Sequence, residues 1–447
     1  AIGCVATAET VLEVLNRILS LLQDSNNRVR SAACFALTRF FAYCPPDLLE
    51  NSHAIVIPAL LHTLEDTRVP RVSAAAAAAL AACCKIYPKP DLRIHLSALM
   101  KSAVAVIEKT YRSLLTDGKT NILAQLISLI SSMKDVESSP RASLSHRSYF
   151  AEYYKRLIGP LKAILTEPKR CPILDAASLE CISFISLAVG EEKCSSDCTE
   201  IMDLLLSRID SILLLWEGDI SSTFGRMASS MGNSFLPFLD PLMLTIINAI
   251  RTPPAQLDDK GRVVRVYGDD PVGKKKKAAC AIAVKLPTAV GVAFLPYASE
   301  LSELSLAHLK KNAYNTIYVN SHPWSLEMIP ALLECYQVSG EYDAMNELWH
   351  DYGRSFDDVV EEEGWEGVII PSIARCVQSI ETMTEAERLF IGDLLEKERD
   401  SLRKTRRDRE ESFNKHVEYE EQRELGKDNE NLERTIATLE CALKKFD

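Results

Sequence analysis

Cysteine and histidine are the residue types from which a metal site or a nucleophilic site would be built in this 447-residue chain. Cys194 and Cys198 form a CxxxC pair, but no second cysteine pair and no histidine lies near them, so the spacing does not predict zinc binding. The eight histidines are scattered along the chain. Neither a GxxxxGK[ST] phosphate loop nor a GxSxG nucleophile turn occurs. We therefore expect no enzymatic activity, no metal and no cofactor.

Two clusters of charge could instead contact a macromolecular partner. Lys274–Lys277 is a basic tetrad that opens a predicted helix, which is typical of a nuclear localisation signal or of a contact with an acidic partner. The run from Asp357 to Glu363, close to Trp365, is acidic and could meet a basic partner. A solvated loop edge is the favoured interpretation of both clusters.

Composition narrows the class of protein. The net charge of −11 is opposite to that of most nucleic-acid-binding domains, so we expect no direct contact with nucleic acid. No long uncharged apolar run occurs, so we expect no membrane insertion. Most of the 13 cysteines lie in apolar helical runs and are predicted to be reduced and buried. Trp216, Trp324 and Trp349 lie among apolar residues and are predicted to be core residues.

The N-terminal part of the chain contains an internal repeat. LSLLQDSNNRVRSAACFAL and LHTLEDTRVPRVSAAAAAAL each pass from an apolar helix through an aspartate and a polar turn to an Arg-Val pair and an alanine-rich second helix. The pairs at Arg28 and Arg71 are 43 positions apart, within the period of HEAT and armadillo repeats. Asp24 and Asp66 are predicted to cap the second helices. Because one helix pair cannot bury its apolar face alone, neighbouring pairs must stack.

A second recurring phrase predicts where further first helices begin. SYFAEYYKRLIGPLKAIL, SFLPFLDPLMLTII and AFLPYASELSELSL combine two aromatic residues with leucines at helical spacing. Pro160 and Pro241 recur inside these helices, and Pro58 holds an equivalent place in IVIPALL; an interior proline kinks a helix because one backbone hydrogen bond is lost. Matching second helices are predicted at Thr120–Met133, Ala176–Val189, Ile220–Met231 and Lys276–Val290.

The predicted organisation has four segments: HEAT repeats at 1–251, an insertion loop at 252–274, HEAT repeats at 275–384, and a charged helical pair at 385–447. GRVVRVYG in the insertion predicts an ordered loop, with a strand as the alternative. The charged tail predicts two helices with an acidic connection around residues 406–431, and sustained coiled-coil heptads are missing. The predicted fold class is all-α, a right-handed α-solenoid of about ten HEAT helix pairs.

The sequence also resembles a known family. The two N-terminal repeats, LECISFISLAVGEEK at Leu179–Lys193, FLPFLDPLM, IPALLECYQVSG and the charged tail resemble, in the same order, the karyopherin-β (importin-β) family, and its importin β3 type in particular. The resemblance covers nearly the whole chain. Because the chain starts without a methionine and the family's Ran-binding repeats are N-terminal, we expect it to be a central fragment.

The resemblance implies a nuclear transport receptor, found in the cytoplasm, the nucleus and the nuclear pore. Such a receptor binds basic nuclear localisation signals of cargo, such as ribosomal proteins and histones, passes phenylalanine-glycine nucleoporins and releases cargo on binding the GTPase Ran in its GTP form. It is expected to be a monomer and not an enzyme. A HEAT-repeat scaffold of a cytosolic complex, of the phosphatase or coat-adaptor type, is the alternative.

The resemblance further implies that acidic side chains of the second helices bind cargo. A lysine-rich peptide requires several partly shielded carboxylates that meet successive ammonium groups. The candidates are Asp135 and Glu137 after the third second helix, and Glu180, Glu191 and Glu192 in the fourth. Where relatives tend to carry acids at the ends of the first two second helices, this chain has Arg39 and Lys85, so its preference there is expected to differ.

Overall fold

The computed structural model describes residues 8–44, 46–49, 52–133, 149–167, 171–215, 220–252, 255–257, 263–266, 271–309, 324–354, 366–380, 383–412 and 433–444. These residues divide into two compact units, which are described separately here. Unit 1 comprises the described residues up to Cys198, and unit 2 comprises those from Thr199 onward. The boundary thus falls inside the segment 1–251 of the predicted organisation.

Unit 1 consists of helix pairs, in which the first helix is called the A helix and the second the B helix. The A helices are α1 (Ala8–Leu21), α3 (His53–Glu65), α5 (Lys89–Thr116) and α7 (Tyr149–Thr166), with a 3₁₀ turn at Pro46–Leu49. The B helices are α2 (Asn27–Tyr43), α4 (Pro70–Ile86), α6 (Thr120–Ser132) and α8 (Pro172–Val189). Helix α9 (Glu191–Leu206) begins in unit 1, and the boundary lies within it.

The B helices of unit 1 stack side by side in the order α2, α4, α6, α8, and α3, α5 and α7 stack in a second layer. Small side chains make this stacking close, because Ala76, Ala77 and Ala79 of α4 are completely buried. Leucines fill the space between the layers, and full burial of one such as Leu80 contributes about 1.5–3 kcal/mol. The structure therefore confirms the predicted stack of helix pairs.

Unit 2 repeats this arrangement. After α9 it continues through α10 (Ile209–Leu215), α11 (Ile220–Met231), α12 (Leu236–Arg251), α13 (Pro271–Val290), α14 (Leu295–Leu309), α15 (Trp324–Ser339), α16 (Tyr342–Gly353), α17 (Glu366–Ser379) and α18 (Glu385–Ser412). A last helix covers 433–443. The B helices stack in the order α11, α13, α15, α17, beside α12, α14 and α16.

The predicted second helices are present, with two revised starts. Helix α8 begins at Pro172 and α13 at Pro271, because proline in the first turn needs no amide hydrogen bond there. Pro58, Pro160 and Pro241 lie inside α3, α7 and α12, as the recurring phrase predicts.

The predicted insertion at 252–274 contains two short strands. Strand β1 (Ala255–Leu257) pairs antiparallel with β2 (Val263–Val266), so the strand alternative for GRVVRVYG is correct. Because α13 already begins at Pro271, the end of the predicted loop is helical. The first tail helix, α18, runs to Ser412, six residues beyond the start of the predicted connection at 406.

Three apolar stretches, Pro172–Val189, Ile220–Arg251 and Pro271–Leu309, are long and apolar enough to cross a membrane by length and composition. In their most apolar windows, however, 56%, 50% and 44% of the residues are buried inside the protein. The second and third stretches each join a B helix to the next A helix through a 3₁₀ turn, at Gly232 and Gly291, where φ is +53° and +59°. Helix packing accounts for their apolar character, and the absence of membrane insertion stays a prediction.

The predicted core residues are buried where the structure describes them. Trp349 is completely buried and Trp324 nearly so, whereas Trp216 lies outside the described residues. The described cysteines are reduced, and all except Cys171 and Cys441 are buried. Burial in an apolar helix packing raises the pKa of a thiol such as Cys34, to about 12, so these cysteines pack as small apolar residues.

Candidate protein-binding surface

Each B helix of unit 1 leaves one lengthwise stripe of side chains partly or fully exposed. Residues of one stripe are three or four positions apart, as one face of an α-helix requires. The stripes are Arg28, Ala32, Phe35 and Arg39 on α2; Arg71, Ala75, Ala78, Ala82 and Lys85 on α4; Asn121, Gln125, Ser128 and Ser132 on α6; and Ile173, Ala176, Glu180, Phe184 and Leu187 on α8.

The stripes lie on the outer face of the B layer. Helix α4 packs against α2 on one side, α6 on the other, and α3 and α5 beneath, so its exposed stripe can only face outward. The two N-terminal repeats share their register, since Phe35 and Arg39 of α2 match Ala78 and Ala82 of α4 at the same 43-residue offset as the Arg-Val pairs. The α2 stripe therefore faces the same way, and we call this face the B surface.

Asp24 and Asp66 were predicted to cap α2 and α4, but the turns before these helices are held by other contacts. Asn26, not Asp24, caps α2, because its side chain accepts a hydrogen bond from the Arg28 amide at 2.9 Å. The Asp24 carboxylate accepts from the Asn26 amide instead, at 2.7 Å. No side chain caps α4. The cap prediction is thus wrong for both aspartates.

Asp66 links the two repeats instead of capping a helix. Its carboxylate pairs with Arg30 of α2 at 3.2 Å, and both side chains are largely buried. A hydrogen bond and the charge of Arg68 also lower the pKa of Asp66, against a smaller opposing effect of burial. The ion pair thus joins the start of α2 to the turn before α4. Because its two residues belong to different repeats, the sequence of one repeat does not predict it.

Glu180 is the predicted cargo-binding residue that the structure places on the B surface. It lies in the middle of the α8 stripe and is partly buried, with Ile173 61% and Leu187 48% exposed on the same stripe. Helices α2, α4 and α6 contain no acidic residue, and the other acid of α8, Asp175, is buried. Within the described part of unit 1, Glu180 is thus the one carboxylate on the four stripes.

Glu191 and Glu192 do not belong to the fourth second helix, contrary to the prediction. Helix α8 ends at Val189, the φ of +75° at Gly190 then reverses the chain, and both glutamates lie in the first turn of α9. There they are exposed and stabilise the positive end of the helix dipole. Asp135 and Glu137 lie outside the described residues, so the structure describes three of the five predicted residues, Glu180, Glu191 and Glu192.

Arg39 and Lys85, the two departures noted in the sequence, are both exposed on or beside the B surface. The Arg39 guanidinium lies over the Tyr43 ring, 4.9 Å from its centroid, and donates a hydrogen bond to the Tyr43 hydroxyl. The first two B helices therefore present cations to solvent where an acidic site would need carboxylates.

In unit 2, the partly or fully exposed side chains of the B helices, which we call its B surface, form ion pairs between neighbouring helices. Lys285 of α13 pairs with Glu327 of α15 at 3.3 Å. Glu334 of α15 accepts two hydrogen bonds from Arg375 of α17, at 2.7 and 3.0 Å. Sequence reasoning missed these pairs, although their spacings of 42 and 41 residues match the repeat period and were the available signal.

The basic tetrad is built into the start of α13 and is not a solvated loop edge. Lys275 forms an ion pair with Asp210, and the ammonium group of Lys276 donates to the Thr252 carbonyl at 2.8 Å. Burial lowers the pKa of Lys276, and its ammonium group is directed to the protein's own backbone. The acidic run 357–363 and Trp365 lie outside the described residues.

Cys194 and Cys198 are buried, and the Cys198 thiol donates a hydrogen bond to the Ser186 hydroxyl of α8 at 3.2 Å. Hydrogen bonding with Cys194, followed by burial, raises the pKa of Cys198 far above its ordinary value, so the thiolate that a metal requires is disfavoured. Among the residues that the structure describes, no group of three ligand-type side chains could hold a metal ion.

Three comparisons place this architecture among known proteins. The HEAT repeat model matches residues 14–44, which cover the end of α1 and all of α2. Importin subunit beta-3 of Saccharomyces cerevisiae is 24% identical over 242 residues, 52% of this chain and 21% of that protein. The matched part of the chain therefore spans about a fifth of that relative's length.

Solved structures of Kap121p resemble the fold over nearly the whole chain. The crystal structure of Kap121p gives a TM-score of 0.65 at 18% identity and covers 98% of this chain and 41% of Kap121p. Kap121p bound to the SUMO protease Ulp1p gives 0.66 at 19% identity over the same shares. The all-α HEAT-repeat fold is thus confirmed, and the chain is similar to importin subunit beta-3 and to Kap121p.

Proposed function

We propose that this chain is a cargo-binding part of a nuclear transport receptor that moves between cytoplasm and nucleus through the nuclear pore. The observations that support this most are the match to importin beta-3 over 52% of the chain and the structural similarity to Kap121p over 98% of it. Kap121p has been solved bound to RanGTP, to Nup53p and to Ste12p. By analogy, we propose Ran, a nucleoporin and a basic cargo segment as partners. The similarity to importin beta-3 also supports the prediction that the chain is not an enzyme.

The contact proposed for a basic cargo segment is centred on Glu180. The carboxylate is partly shielded from water, which strengthens its attraction for a lysine ammonium group relative to a fully solvated pair. Phe184 and Leu187 follow on the same stripe, and their apolar surfaces suit the methylene stem of a lysine. One carboxylate supports a short basic contact more readily than a long lysine-rich signal.

Charge reversal tests this site. Glu180→Lys is expected to weaken the binding of a lysine-rich peptide about tenfold, because an attractive contact becomes repulsive. Isothermal calorimetry at low salt measures the change. Glu191→Lys and Glu192→Lys, made separately, are charge-matched variants in the first turn of α9 and decide whether these two residues also take part. Unchanged affinity of the Glu180 variant would place the cargo contact elsewhere.

The receptor class is tested with Ran. The full-length protein that contains this chain, loaded with a basic cargo, is expected to release it when RanGTP is added, but not when RanGDP is added. A pull-down with immobilised cargo measures the release. A complex that is indifferent to RanGTP would contradict the receptor and favour a HEAT-repeat scaffold, since a scaffold has no reason to respond to the nucleotide state of Ran.

A further inference from the structure

The stripes of α2 and α4 carry positive charge without any carboxylate. Arg28, Arg39, Arg71 and Lys85 are exposed on these two neighbouring helices. Neither helix contains aspartate or glutamate, and neither does α6 beside them. In the part of the chain that the structure describes, Arg28, Arg71 and Lys85 form no ion pair. A chain with a net charge of −11 thus concentrates cations on one part of its surface.

One large apolar side chain, Phe35, is exposed within this cationic region. Phe35 is 66% exposed, although it sits on a B helix that is otherwise packed against its neighbours. The matching positions on α4 are alanines, among them Ala78 and Ala82, so no large side chain of α4 occupies the corresponding part of its stripe. A large exposed aromatic side chain among small residues provides contact area for an apolar side chain of a partner.

The guanidinium of Arg39 is already held in place. It stacks on the Tyr43 ring and uses one N–H group on the Tyr43 hydroxyl, which fixes a side chain that is otherwise flexible. The remaining N–H groups of a guanidinium form a planar fork that matches a carboxylate. Because less conformational entropy is lost on binding, a carboxylate contact here is favoured over one to a freely rotating lysine.

We propose that the α2–α4 surface, defined by Arg28, Phe35, Arg39, Arg71 and Lys85, binds an acidic segment of a partner protein. Carboxylates of the segment pair with the four cations, and an apolar side chain packs on Phe35. Charge complementarity selects this occupant, since a basic segment would meet only like charge on these two helices. The acidic balance of the chain as a whole disfavours a nucleic acid as the occupant. This surface is separate from the carboxylate proposed for basic cargo on α8.

A fluorescein-labelled peptide of alternating glutamate and leucine tests the proposal by fluorescence anisotropy with the complete chain. Arg39→Glu combined with Lys85→Glu is expected to weaken its binding about tenfold or more, and the effect should shrink at high salt. Phe35→Ala should weaken binding of this peptide but not of one with serine in place of leucine. These side chains are exposed, so the folded state should persist, which circular dichroism verifies.

The matched control is Lys101→Glu combined with Lys155→Glu, which makes the same change of charge at exposed positions on α5 and α7. This control should retain binding. Equal weakening by both pairs would show a bulk charge effect and overturn the proposal. So would tighter binding of single-stranded oligonucleotide than of the acidic peptide at the same salt. Neither result involves Ran or a basic cargo, so failure here is distinguishable from failure of the proposed receptor function.

Discussion

The B surfaces of unit 1 and unit 2 are built on the same kind of helix stack but use charge in opposite ways. In unit 1, α4 packs through completely buried alanines, and Arg39 and Lys85 point to solvent. In unit 2, charged residues of the B helices join neighbours, as Lys285 does with Glu327. A cation that is already paired with a neighbouring helix is less available to a partner than one that is not.

This difference teaches that the helical stack alone does not define a binding surface. Stacking of HEAT pairs requires only that each helix bury its inner faces, and both units satisfy this. The packing of the helices does not constrain the outward stripe, so its charged residues are free to serve partner binding or contacts between neighbouring helices. In unit 1 the stripes retain one carboxylate, Glu180, and a cationic region, whereas in unit 2 they contribute to cohesion between helices.

The largest effect is expected in the core of unit 2. Trp349 is completely buried and stacks edge to face on Tyr352, with 6.1 Å between ring centroids. Trp349→Ala should lower the free energy of unfolding by about 3–5 kcal/mol, because a large cavity remains. Urea unfolding followed by circular dichroism measures the change. Val338→Ala, at a position 73% exposed on the neighbouring α15, should have almost no effect. Similar losses for both variants would contradict this description of the core.

The close stacking of unit 1 predicts the opposite kind of sensitivity. Ala77→Leu adds volume where α4 is completely buried, and it should cost about 1–3 kcal/mol of unfolding free energy through overpacking. Ala75→Leu makes the same change on the exposed stripe of the same helix, so it should be nearly neutral. Thermal unfolding of both variants compares them. If Ala75→Leu were as harmful, the α4 stripe would not be an open surface.

A capping box at the start of α18 gives unit 2 a pH-dependent contribution. Glu387 accepts from the Thr384 amide at 2.8 Å, and the Glu387 amide donates back to the Thr384 hydroxyl. Burial alone would raise the pKa of Glu387, but these hydrogen bonds and a contact with His350 together lower it. The stabilisation by the carboxylate is therefore complete above the ordinary glutamate pKa and is lost as pH falls through the lowered value.

Glu387→Gln removes this charge while keeping the side-chain shape. The variant should be less stable by about 0.5–1 kcal/mol at neutral pH. The difference should disappear at low pH, where the wild-type carboxyl is also protonated. Urea unfolding at several pH values measures it, and a difference that stayed constant down to acid pH would show that the lost contact was not the charge of Glu387.

Much of the fold could be predicted from the sequence, and the candidate surface only in part. The helix pairs follow from apolar spacing and from the repeat at Arg28 and Arg71, since those signals are local. Glu180 could be placed on a second helix for the same reason. Helix α8 ends at Val189, as predicted, but Glu191 was wrongly assigned to it, because Gly190, with a φ of +75°, separates α8 from the next helix. Contacts such as Arg30–Asp66 join different repeats and depend on stacking, which local spacing does not show.

The smallest expected effect is the coupling energy between charged side chains of neighbouring B helices, which should differ between the two B surfaces. A double-mutant cycle with Lys285→Met and Glu327→Gln should give a coupling of about 0.2–1 kcal/mol in unfolding free energy, because the pair is partly exposed. High salt should reduce this coupling by screening. The same cycle with Arg39→Met and Lys85→Met in unit 1 should give a coupling near zero. A coupling in unit 1 as large as that in unit 2 would show that its cations also hold the helices together, and would leave them less available to an acidic partner.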